Sequence, residues 1–406
     1  MKIIVQKFGG TSVATAENRA AVLKKVKGAL DGGYSPVIVV SAMGRRGEPY
    51  ATDTLIDFLK DVNLSVSAHE VDLLMCCGEV ISSCVMAATL QKAGLMSVAL
   101  TGGQAGIITD SQYGAARIKN IHTSNLLRFL EDGLVPVVCG FQGITENNHN
   151  FTTLGRGGSD TTAAALGAVL HAEFVEIYTD VEGIMTADPR LVKDANILKT
   201  VTYNEVAQMA HNGAKVIHPR AVEIAMSSNI PLIVKSTFSD APGTRITNDR
   251  PDGAIGADVA FSNKAVTGIA NMDGIAQFRI RLNPDNIAAG EKIFREIAKA
   301  GVSVSFLNLS EREAMFAVFA GKVGETRAVL DKEGLEYFCN DRCAKVTIIL
   351  EPQRGSLGLM ASFVSALTEK GIAILQTVDS DNTISAIIRE ECMSEAVRAL
   401  HAKFEL

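Results

Sequence analysis

Lys2-Ile3-Ile4-Val5-Gln6-Lys7-Phe8-Gly9-Gly10-Thr11-Ser12 opens with a short apolar run, then a lysine, two adjacent glycines and two hydroxyls. Residues 2–6 read as a strand and 14–30 as an amphipathic helix, so the glycines fall where a strand feeds a helix. Adjacent glycines there let backbone N–H groups approach a phosphate, the helix N-terminus adds a favourable dipole, and Lys7 supplies a point charge. Taken alone, the same residues also suit an ordinary tight strand–helix turn. Outward from this stretch the alternation continues. Residues 36–40, 97–101, 135–139, 173–179 and 231–235 read as strands, and 72–93, 161–170, 203–211 and 219–227 as helices. The pattern predicts an α/β fold, a mostly parallel sheet covered by helices on both faces, with sites at the carboxyl ends of its strands.

The chain has 406 residues, 47% apolar and 21% charged, and a formal net charge of −6. That length suits two to four domains with sizeable cores, and no basic excess draws the chain to nucleic acid or an anionic membrane. The seven cysteines show no disulfide spacing and Cys339 and Cys343 have no histidine partners, so reduced thiols, no metal site and a cytoplasmic location are expected. No apolar run of membrane-spanning length stands out.

Residues 240–263 are rich in Gly, Pro, Asp and Asn and read as a boundary. Beyond it a repeat appears. Strand 277–282, helix 291–299, Gly301, strand 302–306, strand 314–318 and helix 326–330 recur as 347–350, 361–368, Gly371, 372–375, 384–388 and 396–400. The two glycines set an offset of 70 (371 minus 301). Each copy has the size of a ferredoxin-like unit. The expected division is a catalytic domain over 1–245 and two small modules over 264–342 and 343–406, with a strand near 266–270 available to the later one.

Three further segments carry chemistry. Thr152–Thr162 sets Arg156 among Gly155, Gly157 and Gly158 just before Ser159 and Asp160. Helix capping explains one of these polar residues, but not an arginine flanked by three glycines. Residues 179–190 follow a strand with Thr179, Asp180, Gly183, Asp188 and Arg190, a set that suits nucleotide handling. Residues 213–220 add Lys215 and Val216 at a turn before a helix opened by Pro219. Glu79 interrupts an apolar helical stretch, where a carboxylate is costly without a partner. No GxxxxGK[ST], GxGxxG or GxSxG pattern supports a P-loop, a dinucleotide fold or a serine hydrolase.

Together KFGGTSV (7–13), VVSAMG (39–44), CGE (77–79), GFQG (140–143), TTLGRGGSDTTA (152–163), TDVEGIMTADPR (179–190) and GAKVIHPRAVEIA (213–225) closely resemble aspartate kinase. The C-terminal repeat looks like that family's tandem ACT domains. MGRRGEPYATDTL (43–55) and the ending LHAKFEL look most like its monofunctional, diaminopimelate-sensitive type. The resemblance implies an amino acid kinase fold followed by two ferredoxin-like βαββαβ ACT domains, and phosphorylation of the L-aspartate β-carboxylate by ATP. It implies Lys7 and Asp160 as catalytic residues. Lys7, Phe8, Gly9, Gly10, Thr179, Asp180, Gly183, Asp188, Arg190, Lys215 and Val216 would lie around ATP. Ser41, Thr52, Glu79, Arg156 and Ser159 would hold substrate, with Glu79 on the α-ammonium and Arg156 on the α-carboxylate. Mg²⁺ would bridge phosphate oxygens with no protein ligand assigned. A feedback amino acid is expected at the ACT domains, meso-diaminopimelate ahead of lysine or threonine, in a homodimer or homotetramer. The effector stretches depart from those of lysine-plus-threonine-inhibited relatives at 283–290, 307–309 and 354–358.

Two other readings stay open at this point. One is another kinase of the same fold, acting on glutamate, acetylglutamate or a nucleoside monophosphate. The other is an inactive regulator that only binds amino acids.

Overall fold

The computed structural model describes residues 1–214, 216–248, 265–283, 288–351 and 358–406. Its strands in chain order are β1 (Lys2–Phe8), β2 (Tyr34–Val40), β3 (Ser97–Leu100), β4 (Ile107–Thr109), β5 (Ile118–Ile121), β6 (Val135–Cys139), β7 (Gln142–Thr145), β8 (Phe151–Thr153), β9 (Val175–Thr179), β10 (Thr200–Val201), β11 (Leu232–Ser236), β12 (Thr244–Ile246), β13 (Val266–Arg281), β14 (Ser305–Leu309), β15 (Glu313–Phe319), β16 (Tyr337–Leu350), β17 (Gln376–Ser380) and β18 (Thr383–Arg389). The helices are α1 (Gly10–Val13), α2 (Ala16–Asp31), α3 (Thr52–Val62), α4 (Ala68–Lys92), α5 (Ser124–Glu131), α6 (Gly158–Val169), α7 (Tyr203–His211), α8 (Pro219–Ser227), α9 (Ala288–Lys299), α10 (Val323–Lys332), α11 (Leu359–Thr368) and α12 (Met393–Lys403).

The chain forms two compact units. The first comprises Met1–Ile184, Ile197–Ala207 and Lys215–Ala257; the second comprises Met185–Asn196, Gln208–Ala214 and Asp258–Leu406. In the first, an eight-stranded sheet runs β10-β12-β11-β9-β1-β2-β6-β3. From β11 to β3 every pairing is parallel, while β12 runs antiparallel to β11, and β10, parallel to β12, runs the same reversed way. Val37–Val40 are wholly buried, as central strands covered on both faces must be. One core cluster joins Phe8, Val22, Val26, Ile38, Val40, Met86, Leu90, Val137 and Tyr178, drawing α2 and α4 onto the sheet.

Several elements were not foreseen: α3, α5, the two-residue β10, β12, which lies inside the stretch 240–263 read as a loop at the boundary, and a four-stranded sheet ordered β5-β4-β7-β8. The strands of that sheet are three or four residues long, too short for alternation to show. The helix α4 is long and apolar enough, by length and composition, to cross a membrane. It packs on β3, β6 and β8 and buries Asp72 and Glu79, as a core helix does.

The second unit is a six-stranded antiparallel sheet ordered β14-β15-β13-β16-β18-β17. Its strand β13 breaks register between Met272 and Ile275, beside Gly274 at φ 66°. Residues from Ile275 onward pair with β15 and the first part of β16, while Val266–Met272 pair with Lys345–Leu350. One βαββαβ module is therefore inserted after the first strand of the other. The repeat is exact in β15 and β18, which begin at Glu313 and Thr383, and in α10 and α12, which begin at Val323 and Met393.

Residues 302–306 and 372–375 were expected as strands, but the strands fall later, at Ser305–Leu309 and Gln376–Ser380. Val302 and Ile372 are buried plugs that follow each helix-ending glycine, and the strands themselves are mostly exposed sheet edges.

Candidate functional site

The site gathers at the carboxyl ends of β1, β2, β6 and β9, where open α/β sheets place ligands. The Nζ of Lys7 lies 2.6 Å from Asp160 Oδ1, each side chain 13% exposed, as an ion contact rather than a directed hydrogen bond. Parallel pairing delivers Lys7 and α6 delivers Asp160 from its first turn. The lysine curls back over the Gly-Gly turn, since a Cβ on Gly9 would sit 3.9 Å from its Nζ. A Cβ on Gly10 would meet the Ala42 carbonyl at 2.4 Å, so glycine is needed for the turn to press against the loop after β2. Phe8 is fully buried and stacks on Tyr178 at 4.7 Å, fixing the end of β1 against β9.

That loop after β2 holds Ser41, whose N–H donates to the Phe8 carbonyl, and Ala42, whose N–H donates to Glu79 Oε1 at 3.0 Å. Glu79 is 2% exposed and its second oxygen has no partner. Burial pushes its carboxyl up to about 8, opposed by the Ala42 N–H. Gly78 lets α4 come this close, because a Cβ there would lie 2.8 Å from the Ala42 side chain and 3.1 Å from the Tyr50 carbonyl. Thr52 opens α3 two residues further on and is half-buried.

Arg156 is exposed at the tip of the turn between β8 and α6, with Gly155 at φ 74° and Gly157 at φ 69° on either side. Ser159 is buried against Gly140, where a Cβ would lie 2.8 Å from its Oγ. A Cβ on Gly157 would strike the His218 ring at 2.1–2.4 Å. Gly157→Ala is therefore expected to lower the melting temperature and cut activity together, by about 2 kcal/mol or more of stability, checked by thermal unfolding beside a turnover assay.

Just after β9, Thr179 Oγ1 donates to Asp180 Oδ1, and Asp180 pairs with Arg45 at 3.3 Å. Gly183 allows close approach to Thr244, whose Oγ1 would lie 2.6 Å from a Cβ. Asp188 and Arg190 pair with each other at 2.6 Å and belong to the second unit. Ala187 and Val192 on either side are built into that unit's core with Val266, Ile269, Val346 and Leu400. Thr186 accepts from Ile269 N–H and hydrogen-bonds His401 there. Val216 is half-buried ahead of α8, and Lys215 lies outside the described residues.

Four residues here were not singled out from sequence. Arg45 reaches Asp180, and Thr237 shares a buried 2.7 Å hydrogen bond with Ser12. Arg220, foreseen only as part of a helix start, donates to the carbonyls of Leu154 and Ala116. Asp72 is 1% exposed in the same apolar helix as Glu79, so the signal that marked Glu79 was available for it too. Among the described residues, no three His, Cys, Asp or Glu side chains gather as a metal cage.

A lysine, a Gly-Gly turn and an arginine-bearing glycine turn at the carboxyl ends of a parallel sheet define a phosphotransferase of the amino acid kinase class. Residues 2–236 match the amino acid kinase family, and residues 338–402 match the ACT domain. Aspartokinase 1 of Bacillus subtilis is 44% identical over the whole of both chains. The aspartokinase of Geobacillus stearothermophilus is 37% identical, covering 100% of this chain and 98% of its own. Among solved structures, E. coli aspartokinase III in complex with aspartate and ADP superposes with a TM-score of 0.78 at 24% identity, over all of both chains. The chain belongs to the aspartokinase family.

Proposed function

We propose that these residues transfer the γ-phosphoryl group of MgATP to the β-carboxylate of L-aspartate, giving 4-phospho-L-aspartate and ADP. The observation that carries this is the Lys7–Asp160 pair beside Gly9 and Gly10, flanked by buried Glu79 with an unpartnered oxygen. The related E. coli enzyme binds aspartate and ADP. A β-carboxylate with an ordinary pKa of about 3.9 is already ionised at neutral pH. One of its oxygens forms the bond to γ-phosphorus as the bond to the β,γ-bridging oxygen breaks, and ADP departs with that electron pair. No proton moves, so no general base is required. The work left to the protein is positioning and charge neutralisation.

In this reading Lys7 neutralises charge on the transferring group, and Asp160 holds Lys7 in place. Phe8, Gly9, Gly10 and Thr11 frame the phosphates, Glu79 takes the substrate ammonium and Arg156 its α-carboxylate. Ser41, Thr52 and Ser159 line the acceptor side. Thr179, Asp180, Gly183, Asp188, Arg190, Lys215 and Val216 serve the nucleotide. Mg²⁺ arrives with ATP on phosphate oxygens. The seven cysteines are free thiols, which suits a cytoplasmic enzyme.

Feedback control belongs to the second unit in the same reading. Within one chain Gln277 donates to Gln376 and accepts from Asn340 across the seam between its modules, Ile275, Ala317, Cys343 and Ile387 pack beside them, and a cavity lined by Asn340, Asp341, Arg342, Arg389 and Glu390 opens next to these contacts. We place the effector, meso-diaminopimelate ahead of lysine or threonine, at the seam of paired ACT modules, within a chain or between copies in a homodimer or homotetramer. Of the effector stretches, 284–287 and 354–357 lie outside the described residues. A coupled ADP-release assay with aspartate, glutamate and acetylglutamate tests the acceptor. Turnover with aspartate alone is expected, and faster turnover with either of the others would overturn the assignment.

A further inference from the structure

The turn that presents Arg156 is tied on its α6 side by Thr161, whose hydroxyl donates to the Gly157 carbonyl, and on its β8 side by buried groups behind it. Thr153, three residues before Arg156, gives its N–H to Asp72 Oδ2 at 2.7 Å and its hydroxyl to Asp72 Oδ1 at 2.9 Å. Gly114 N–H donates to the same Oδ2 at 3.0 Å. The Ala116 N–H in turn donates to the Thr153 carbonyl, and Arg220 joins the Leu154 and Ala116 carbonyls. A Cβ on Gly155 would lie 3.1 Å from the Gly114 carbonyl, so the turn rests directly on the segment that Asp72 holds.

Asp72 precedes Glu79 by seven residues on α4. Seven residues are close to two full turns, so the two carboxylates share one stripe of the helix about 10 Å apart along its axis. Both are buried, at 1% and 2% exposure, and both accept backbone N–H groups from loops that border the site. One helix thus grips the loop after β2 through Glu79 and the base of the Arg156 turn through Asp72. Three hydrogen bonds converge on the one Asp72 carboxyl, and two of them come from the same residue, Thr153.

We propose that Asp72 is a positioning residue for aspartate recognition, fixing through Thr153 where the Arg156 guanidinium stands relative to Glu79. This rests on the reading of Arg156 and Glu79 as the two ends of a clamp on the substrate's α-amino acid group. Asp72 touches no substrate itself. A turn displaced by about 1 Å at this point costs a positioned charge much of its effect, and the loss falls on aspartate rather than ATP.

The test is steady-state kinetics on the full chain, varying aspartate and ATP separately, with thermal unfolding beside it. Asp72→Ala is expected to raise KM for aspartate about tenfold or more while KM for ATP stays within about twofold. Asp72→Asn keeps an oxygen for the two N–H donors and is expected to restore most of the aspartate affinity, which loss of packing alone would not predict. Should Asp72→Ala not fold, Thr153→Val decides, because it removes only the hydroxyl bond; a rise of about threefold in KM for aspartate supports the proposal. Unchanged KM for aspartate in the folded Asp72→Ala protein, or in Thr153→Val, overturns it, as does an equal rise for both substrates. Arg156→Ala in the same assay separates the two levels. If it leaves KM for aspartate unchanged, the clamp itself is wrong and this proposal falls with it; if it raises KM while the Asp72 series does not, only the role of Asp72 is wrong.

Discussion

Replacing Lys7 with alanine is expected to lower kcat by about 10³-fold while changing KM for aspartate only a few-fold. The ammonium stands at the end of β1 over the Gly9–Gly10 turn, and in the proposed reading charge builds there on the transferring phosphoryl group and not on either bound substrate's far end. An interaction that strengthens only in the transition state appears in kcat. The ion pair with Asp160 adds a second consequence. Both side chains are 13% exposed, so alanine leaves Asp160 largely desolvated and without its cation. The variant should therefore also melt earlier than the parent, and Asp160→Asn in the Lys7→Ala background should recover part of that loss without recovering turnover. Rapid-quench measurement of the first turnover with saturating ATP and aspartate checks the kinetic claim. A variant that keeps near-normal single-turnover rates would remove Lys7 from the catalytic group.

The family resemblance couples the two residues of this pair, with Asp160 orienting Lys7, whereas the bare sequence marks them only separately. Lys7 stood out beside its glycines and Asp160 at the entry to an Ala-rich helix, but nothing in their spacing says that they touch. Parallel pairing of β1 with β2 and β9, and the seating of α6 on the sheet, bring them together. Elements with a full apolar period were readable to the residue, as at Val135–Cys139, Tyr203–His211 and Pro219–Ser227. In the last of these Pro219 lies at the helix start and His218 caps it. Strands of three residues were not readable, because two alternations carry no period.

The sequence also offered no sign that residues 185–196 are packed with the second unit, because Ala187 and Val192 look like ordinary loop residues until their neighbours are known. That packing decides how control should be tested. A chain cut near residue 263 would strip Val266, Ile269, Val346 and Leu400 from around Ala187 and Val192, so loss of activity there would say little about effectors. Point variants in the intact chain, assayed with each candidate amino acid, are the informative design.

Glu79→Gln is expected to raise KM for aspartate by about 10–150-fold, with ATP binding nearly unchanged, and to do so while making the protein no less stable. The two effects have one cause. Burial at 2% exposure pushes the carboxyl up to about 8, so in the empty enzyme at neutral pH Glu79 is mostly protonated. Pairing with a substrate ammonium needs the carboxylate, and binding must expel that proton. Below about 8, kcat/KM for aspartate should therefore climb close to tenfold per pH unit and level off above it. The plateau in kcat, measured with aspartate saturating, should lack this limb, because the bound ammonium keeps Glu79 ionised. Stability runs the other way. A carboxyl whose folded-state pKa is raised binds its proton more tightly when folded, so its contribution is intact below the unfolded value of 4.5 and is lost as pH rises towards about 8. Glutamine imitates the protonated form and carries no such penalty, so the variant should melt at the parent's temperature at acid pH and above it at pH values beyond about 8. Calorimetric titration of aspartate and ATP, with melting curves across the same pH series, reads both signs at once. A flat pH profile of kcat/KM below about 8, or calorimetry in which ATP binding disappears while aspartate binding survives, would take the ammonium away from Glu79.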